Sequence, residues 1–533
     1  MAAQMPSNDH ADSAKQYADM EERMLMRDQK GASQVFYDLV RAGRPVTEVL
    51  SECVRIHAPY THVPYHERID DGYPNFVNND HCMLSARASL NLSRLMPKGL
   101  EMLPVAQTVW YIPTGLDIWN QKLNKAPGHY TRGMPMQPEN PPMPVVYWPD
   151  QAPTLSNAPL QEQLGEWMTS VHRGEVNKAY SGFLGIMADR ANHQAALAEL
   201  VFAGLIDVQD RMYMNRSYTT GHKGYRARST VELGNAIGWD NAHHVLYAGV
   251  LDMAVGPRWY SLYETACNII KERIEGEALH AVPYAGVSAQ ELEVLGNTQP
   301  LTEAEEAALL EALLDKHSPD NFEMITALLK AGKSPRRIID VCQVAAARII
   351  VQTHGAPNFS MPMHCYEYTN ALGWFYDNFD HPRRLRLLYV CAEFLNMTAW
   401  HQRLIGEMES HPVSTPAGAA RCSAEQLLEH LESTSCAQDA EAGQAWLQAY
   451  LDSSGERDAL VQTLAVISSR IGNDPHNQEI PQNMLEDYLK NRSPSRDIIL
   501  KACVQHCAGH RKYGDLLEAS RRFGEALAIS RLH

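Results

Sequence analysis

The chain has 533 residues, of which 45% are hydrophobic and 21% are charged, and its formal net charge at pH 7 is −16. This composition is ordinary for a folded protein with a large core, and the acidic balance disfavours nucleic acid and anionic membranes as partners, since both require a basic surface. The ten cysteines form no Cys-x-x-Cys pair, which excludes a zinc ribbon and favours a reducing compartment. With neither a signal peptide nor a run of apolar residues long enough to span a bilayer, we expect a cytoplasmic protein.

Helical periodicity dominates the chain from its first apolar segment. Residues 1–24 are polar and are expected to be disordered, and the apolar residues from Phe36 to Val54 then follow the spacing of two helices broken at Gly43 and Pro45. Similar breaks recur at residues 203–204 and 331–332, and a Ser-Pro pair at 493–494 takes their place near the end of the chain. Strand patterns are limited to a short piece at 145–146. The sequence therefore predicts an all-α fold.

A histidine recurs at nearly equal intervals, at His81, His222, His364 and His510. The first and third are followed by cysteine, and the second and fourth lie in a Gly-His-basic-x-Tyr motif. A fixed internal period is typical of repeat architectures. We therefore predict a helical repeat array of four units, arranged as two pseudo-equivalent halves at 25–265 and 266–533.

Two insertions and a proline-rich connector interrupt this regularity. The insertions precede the first and third histidines, at 57–80 and 353–363, and the connector at 127–160 contains nine prolines. Irregular segments on a regular scaffold are where sites are commonly built, and apolar walls with a few polar groups suit a small molecule. We expect these segments to cover one cavity, with these aromatic residues contacting a small-molecule substrate: Tyr60, Tyr65, Tyr73, Phe76 and Trp148.

The repeated histidines have two interpretations. A histidine at a helix start can bond a neighbouring carbonyl and serve the fold alone. If instead the units pack pseudo-symmetrically, the imidazoles converge, and imidazole suits iron, zinc and copper. On the second interpretation the candidate metal ligands, with iron favoured, are His81, His222, His364 and His510. The candidate catalytic residues are His222, His364, His510, Tyr225 and Glu367.

Several common sites are absent from the sequence. It contains no phosphate-binding glycine loop, no Gly-x-Gly-x-x-Gly fingerprint, no Gly-x-Ser-x-Gly elbow and no His-Glu-x-x-His motif. These absences disfavour ATP chemistry, classical Rossmann binding of NAD and serine hydrolysis. A zinc site formed by Cys503, Cys507, His506 and His510 is a further alternative if one helix carries all four.

Residues 221–227 (Gly-His-Lys-Gly-Tyr-Arg-Ala) and 236–240 (Ala-Ile-Gly-Trp-Asp) resemble the questin oxidase-like family. The segments 339–348, 364–374 and 510–523 are similar in arrangement to later helical segments of that family. The resemblance implies an oxidoreductase, a monooxygenase linked to NADPH, that acts on a cyclic or aromatic compound. The alternatives are a non-enzymatic α-solenoid that binds a protein partner, and a metal- or haem-binding carrier.

Overall fold

The computed structural model describes residues 7–70, 73–78, 81–116, 151–208, 221–254, 261–277, 286–355, 359–410, 412–472, 475–510 and 514–532, with residues 62–70 and 73–78 described as backbone. The described residues are mostly helical, which confirms the predicted all-α fold. The helices of the first predicted half, and one that crosses its boundary, are α1 Ser7–Leu25, α2 Gln29–Arg41, α3 Val46–His57, α4 His81–Ser93, α5 Leu103–Gly115, α6 Leu160–His172, α7 Val176–Met187, α8 His193–Ile206, α9 His222–Ile237, α10 His243–Val250 and α11 Ser261–Ile269. The helices of the second half are α12 Ala289–Leu295, α13 Glu303–Leu314, α14 Asp320–Lys330, α15 Pro335–Val351, α16 Ser360–Asn378, α17 Arg384–Leu404, α18 Ala424–Cys436, α19 Ala440–Leu451, α20 Arg457–Arg470, α21 His476–Lys490, α22 Asp497–Gly509 and α23 Glu518–Leu527.

One antiparallel hairpin departs from the helical pattern. Its strands are β1 His62–Asp70 and β2 Tyr73–Asn78, and in their register His62 lies opposite Asn78 and Asp70 opposite Tyr73. The hairpin lies within the first insertion, where the sequence predicted an irregular segment. The short β piece expected at 145–146 lies outside the described residues.

The N-terminal segment also differs from the prediction, since α1 is a helix and residues 1–24 were expected to be disordered. Tyr17, Met20 and Met24 are buried on one face of α1, and the helix packs on α2. Their spacing of three and four residues is that of an amphipathic helix. Enough apolar surface is therefore buried to order a segment that is polar in overall composition.

Four helices, α4, α9, α16 and α21, form what we call the central ring. In that cyclic order each helix packs on the next, and α21 packs back on α4. Each ring helix is flanked by the helix that precedes it in the chain: α3, α8, α15 and α20. Two ring helices come from each predicted half, and the superposition of the halves helix for helix stays a prediction.

The contact between α8 and α9 fixes how closely one ring helix approaches its neighbour. Gly204 in α8 lies against the first turn of α9, and a Cβ added to Gly204 would come within 2.7 Å of the Cα of Gly224. Two backbones can approach this closely only where neither residue carries a side chain. The glycine pair therefore sets the position of the turn that begins at His222.

Local sequence accounts for several helix ends. The α13 helix begins with a capping box, in which the Thr302 hydroxyl accepts from the Glu305 amide and the Glu305 carboxylate accepts from the Thr302 amide. Ser423 and Gln426 form the same motif at the start of α18. No helix in the described part of the chain combines the length and apolarity needed to cross a bilayer.

Candidate metal centre

Four imidazoles meet at the N-terminal end of the central ring, one from each helix. Ring centroids are 5.6 Å apart for His81 and His222, 4.8 Å for His222 and His364, 5.6 Å for His364 and His476, and 4.8 Å for His476 and His81. The diagonal from His222 to His476 is 6.4 Å. The four rings therefore form a closed quadrilateral, which we call the histidine quartet.

Three members of the quartet are placed to share one ion. One ring nitrogen from each of His81, His222 and His476 lies within 4.8 Å of the other two. Nitrogen ligands sit about 2 Å from a transition metal, and so roughly 3–4 Å from one another. The 4.8 Å limit exceeds that range, so the three rings would have to move closer together to share an ion.

A hydrogen bond within its own helix determines which ring nitrogen of His364 carries the proton. Its Nδ1 lies 2.7 Å from the carbonyl oxygen of Ser360, and because a carbonyl can only accept, Nδ1 carries the proton. This leaves a lone pair on Nε2, which has no hydrogen-bond partner among the described residues although the side chain is only 7% exposed. Burial, together with His222 and His476, lowers the pKa of His364 well below its ordinary value. The ring is therefore neutral at pH 7, as metal ligation requires.

The structure places His476 where the sequence predicted His510. His510 follows the end of α22, its Nδ1 lies 3.3 Å from Oδ1 of Asn477, and its ring stacks on His506 at 4.8 Å. Phe359 packs against His510 with the ring centroids 5.7 Å apart. His510 thus neighbours the quartet without belonging to it, because α22 lies outside the ring and α21 within it.

A regular sequence pattern marks the four ring helices. Counted from each quartet histidine, the positions three, six and ten residues later lie on the same helical face. These positions are Leu84, Arg87 and Asn91 in α4; Tyr225, Arg228 and Glu232 in α9; Glu367, Asn370 and Trp374 in α16; and Glu479, Gln482 and Glu486 in α21. Polar residues dominate them, and this register would have identified His476 from the sequence.

One helical turn below the quartet lies a layer of buried polar groups. Glu367 and Glu479 are 1% and 0% exposed, and Arg87 Nη2 donates to Oε1 of Glu479 at 2.9 Å. Burial alone would raise the pKa of Glu479, but the Arg87 charge, a hydrogen bond with Glu367 and the nearby His476 together lower it. Glu479 is therefore the charged member of this layer.

Tyr225, a predicted catalytic residue, belongs to the same layer. Its hydroxyl donates to the backbone carbonyl oxygen of His364 at 2.8 Å. Burial, and then the neighbouring Glu367, raise the pKa of Tyr225 well above its ordinary value. The phenol is therefore neutral, and it joins α9 to the turn of α16 that carries His364.

Deeper layers of polar side chains join the ring helices to one another. Arg87 Nη1 donates to Gln482 at 2.7 Å and to Asn483 at 3.0 Å. Arg228 donates to Asn370 and to Glu486. A polar column thus runs down the ring, and each of these two buried cations meets acceptors on another ring helix, as buried charge requires.

Asp487 lies beside this column. Its Oδ1 accepts from Asn370 at 2.8 Å and from Gln343 at 2.9 Å. Burial, and then the Glu486 charge, raise the pKa of Asp487 to about 7. This carboxyl group therefore changes its charge near neutral pH.

The described residues include only some of the predicted substrate-binding aromatics. Tyr60 is half-buried and packs against the core. The backbones of Tyr65, Tyr73 and Phe76 lie in the hairpin, while their side chains, and all of Trp148, lie outside the described residues. Most of the proline-rich connector, at 127–150, lies outside them as well. The cavity expected beneath these segments stays a prediction.

The alternative zinc site on α22 gains no support. Of the residues that the structure describes, only His81, His222 and His476 form a group of three or more metal-ligating side chains within reach of one ion. Cys503 and Cys507 are both buried thiols, and a hydrogen bond with Cys507, together with burial, raises the pKa of Cys503 well above its ordinary value. A neutral thiol is a poor metal ligand.

Comparisons with known proteins give no assignment: no family model, no curated protein and no solved structure matches the chain. The resemblance to the questin oxidase-like family therefore stays a prediction from short motifs.

Proposed function

We propose that this protein is an oxidoreductase that holds a metal ion in the histidine quartet and acts on a small cyclic or aromatic compound. The observation that carries the proposal is the group of His81, His222 and His476, in which one ring nitrogen of each residue lies within 4.8 Å of the other two. Beside this group, His364 is a buried neutral imidazole with its Nδ1 proton committed to the Ser360 carbonyl and its Nε2 lone pair without a hydrogen-bond partner among the described residues. An imidazole that donates one N–H to a carbonyl is the usual arrangement of a metal-ligating histidine. With His81, His222 and His476, it offers an all-nitrogen donor set.

The donor set bears on the identity of the metal. Imidazole ligands suit iron, copper and zinc, whereas magnesium and calcium take oxygen ligands. Oxidation chemistry needs a metal that changes its oxidation state, which leaves iron, our favoured ion, or copper. The substrate class and NADPH as reductant rest on the resemblance to the questin oxidase-like family, and they are part of the proposal on that ground.

In this proposal, the residues around the quartet orient its histidines, compensate buried charge or allow close packing of the helices. The Ser360 carbonyl fixes the tautomer and the orientation of His364, and the Tyr225 hydroxyl holds the same turn of α16. Arg87 balances the buried charge of Glu479. Gly204 and Gly224 let α9 approach closely enough to bring His222 to the centre.

The geometry favours this proposal over a protein-binding scaffold. A scaffold has no need to gather its repeated histidines, and they would lie apart at its periphery. Three of the four predicted histidines instead lie together, with a fourth supplied by α21. A metal-binding carrier would use the same quartet, and it would differ from an enzyme in converting no substrate.

The test is metal analysis of the purified protein, with its absorption spectrum, followed by oxygen- and NADPH-consumption assays with phenolic and quinone compounds. We expect about one iron or copper ion per chain, a visible absorption band that chelation removes, and substrate-dependent consumption. A protein that binds neither metal after reconstitution would overturn the proposal. Bound metal with no turnover of any of these compounds would favour the carrier.

A further inference from the structure

A pocket lies beyond the C-terminal end of α21, away from the histidine quartet. It is lined by residues within 298–306, 334–340 and 492–494, and we call it the α15 pocket because the first turn of α15 forms part of its wall. Its volume of about 460 Å³ is in the usual range for small-molecule sites. Since α21 begins at His476 and spans 15 residues, the pocket and His476 lie at opposite ends of a helix about 20 Å long.

The first turn of α15 has two polar groups without a hydrogen-bond partner among the described residues. Ser334 is the N-cap residue and is only 9% exposed, yet its hydroxyl makes no capping hydrogen bond. Pro335 has no N–H, and the Arg337 and Ile338 amides donate to the Ser334 carbonyl oxygen at 3.0 Å. The Arg336 amide is therefore left as the second unpaired donor. A hydroxyl and an amide at a helix N-terminus together suit a carboxylate oxygen.

Guanidinium groups crowd around the same turn. Asp340 pairs with Arg336 at 2.6 Å and also with Arg337, and Arg336 pairs with Asp377 at 2.7 Å. Arg492 is exposed at the pocket, and no described carboxylate pairs with it. Burial, and the charges of Arg336 and Arg492, lower the pKa of the Arg337 guanidinium, and Asp340 only partly opposes this shift. Three guanidinium groups thus face two carboxylates, so a further anionic group is favoured beside them.

The opening turn of α13 brings negative charge to the same pocket. Glu303 is exposed there, and Glu306 is half-buried, with its Oε2 accepting from the Ser493 hydroxyl at 2.7 Å. These carboxylates would repel a ligand that carried negative charge alone, whereas a ligand with separate negative and positive groups meets both charges of the pocket. Leu301 and Pro494 add apolar wall.

We propose that the α15 pocket binds a free α-amino acid with an apolar side chain. The ligand carboxylate accepts from the Ser334 hydroxyl and the Arg336 amide, and the Arg492 guanidinium balances its charge. The ligand ammonium group is attracted by Glu303 and Glu306. The C-terminus of a peptide has the carboxylate without the ammonium group, so it matches only one side of the pocket. The inference goes beyond the proposed function and does not depend on it, because no quartet histidine lines this pocket.

Calorimetric titration of the full chain with leucine, methionine and phenylalanine tests the proposal. We expect binding of at least one of them. Two analogues of leucine each remove one charge: N-acetyl-leucine lacks the ammonium group, and 3-methylbutylamine lacks the carboxylate. Each should bind more weakly than leucine by roughly tenfold or more, the effect of losing a hydrogen bond to a charged group. Binding of none of the amino acids at millimolar concentrations overturns the proposal. N-acetyl-leucine or inorganic phosphate that binds as tightly as leucine overturns it as well, because the pocket would then recognise an anion alone.

A pair of serine variants separates binding from helix capping. The Ser334 hydroxyl caps no amide, so Ser334→Ala should keep the wild-type denaturant midpoint and weaken leucine binding by roughly tenfold. Ser423 does cap its helix, so the matched control Ser423→Ala should lower the midpoint and leave leucine binding unchanged. Leucine affinity that is unchanged in Ser334→Ala would place the ligand elsewhere and overturn the proposal.

Two charge variants assign the ends of the ligand. Arg492→Gln should weaken both leucine and N-acetyl-leucine, since both carry the carboxylate. Glu303→Gln should weaken leucine and leave N-acetyl-leucine unchanged, since only leucine carries the ammonium group. The reverse pattern, in which Arg492→Gln spares both ligands or Glu303→Gln tightens the binding of leucine, would overturn the proposed orientation and with it the recognition of an amino acid.

Discussion

His476 packs edge-on against His81, with their ring centroids 4.8 Å apart. His81 begins a helix near the start of the chain, and His476 begins a helix near its end. This contact closes the central ring, because α21 packs back on α4 there. The first and last ring helices are thereby joined at the end of the ring that holds the histidine quartet. A site made in this way assembles only when both halves of the chain have folded.

The first prediction follows from that closure. Replacing His81, His222, His364 or His476 singly by alanine should weaken metal binding at least tenfold, since even the loss of a residue that only supports a ligand has an effect of this size. His510→Ala is the matched control, because His510 lies beside the quartet and bonds Asn477 instead. Metal content measured after dialysis against a weak chelator checks the prediction. Equal loss in His510→Ala, or no loss in His476→Ala, would contradict it.

Sequence patterns were sufficient for the fold class and for three of the four quartet residues. The recurrence of His81, His222 and His364 at nearly equal intervals carried that prediction, because a titratable side chain at the same place in each unit is not selected by packing alone. The polar pattern three, six and ten residues after each histidine was also present in the sequence. Applied to the fourth unit, it selects His476, where Glu479, Gln482 and Glu486 follow.

The remaining features depend on long-range packing. His510 was chosen because glycine precedes it and a basic residue follows it, as at His222, but nothing local shows that α22 lies outside the ring. The pairing of Arg87 with Glu479 joins residues from distant parts of the chain, and a single sequence contains no information on which helices meet. Similarly, the prolines and aromatic residues of the segment that forms the hairpin β1–β2 predicted only an irregular structure there.

The second prediction concerns the close approach of α8 and α9. Gly204→Ala places a Cβ within 2.7 Å of the Gly224 backbone, so the helices must separate and carry the His222 turn outward. We expect a loss of about 1–3 kcal/mol in the free energy of unfolding, typical of overpacking, together with weaker metal binding. Gly165→Ala in α6 is the control, since nothing lies within 4 Å of an added Cβ there. It should stabilise the helix by up to about 1 kcal/mol, and denaturant unfolding measures both.

The third prediction is a pH dependence set by Asp487. Its pKa in the folded protein is about 7, above the value of about 3.9 in an unfolded chain. Between these values the folded state keeps a proton that the unfolded state has released, so this group lowers stability as pH rises and its effect is complete above pH 7. Asp487→Asn removes the effect while keeping an oxygen that accepts from Asn370 and Gln343.

Relative to wild type, Asp487→Asn should therefore gain about 3 kcal/mol in the free energy of unfolding between pH 5 and pH 8. Urea titrations of both proteins at the two pH values provide the measurement. A difference between variant and wild type that does not change with pH would show that Asp487 is ionised throughout, and that its neighbours compensate for burial.

The last prediction concerns the buried pair that supports the quartet. Arg87 and Glu479 are 2% and 0% exposed in their side chains, so Arg87→Met leaves a buried carboxylate without its partner. Such a loss is expected to destabilise by about 3–5 kcal/mol. The exposed pair of Arg190 and Asp240, with side chains 75% and 72% exposed, is the control, and Arg190→Met should change stability by less than about 1 kcal/mol.

A double variant separates the energy of the pair from the penalty of the unpaired charge. Arg87→Met combined with Glu479→Gln removes both charges, so we expect it to recover part of the stability lost in Arg87→Met alone. Recovery measured by a double-mutant cycle at pH 7 isolates the coupling between the two sites. Additive losses would mean that the two side chains act independently, and that Glu479 is not the charged member of the buried polar layer below the quartet.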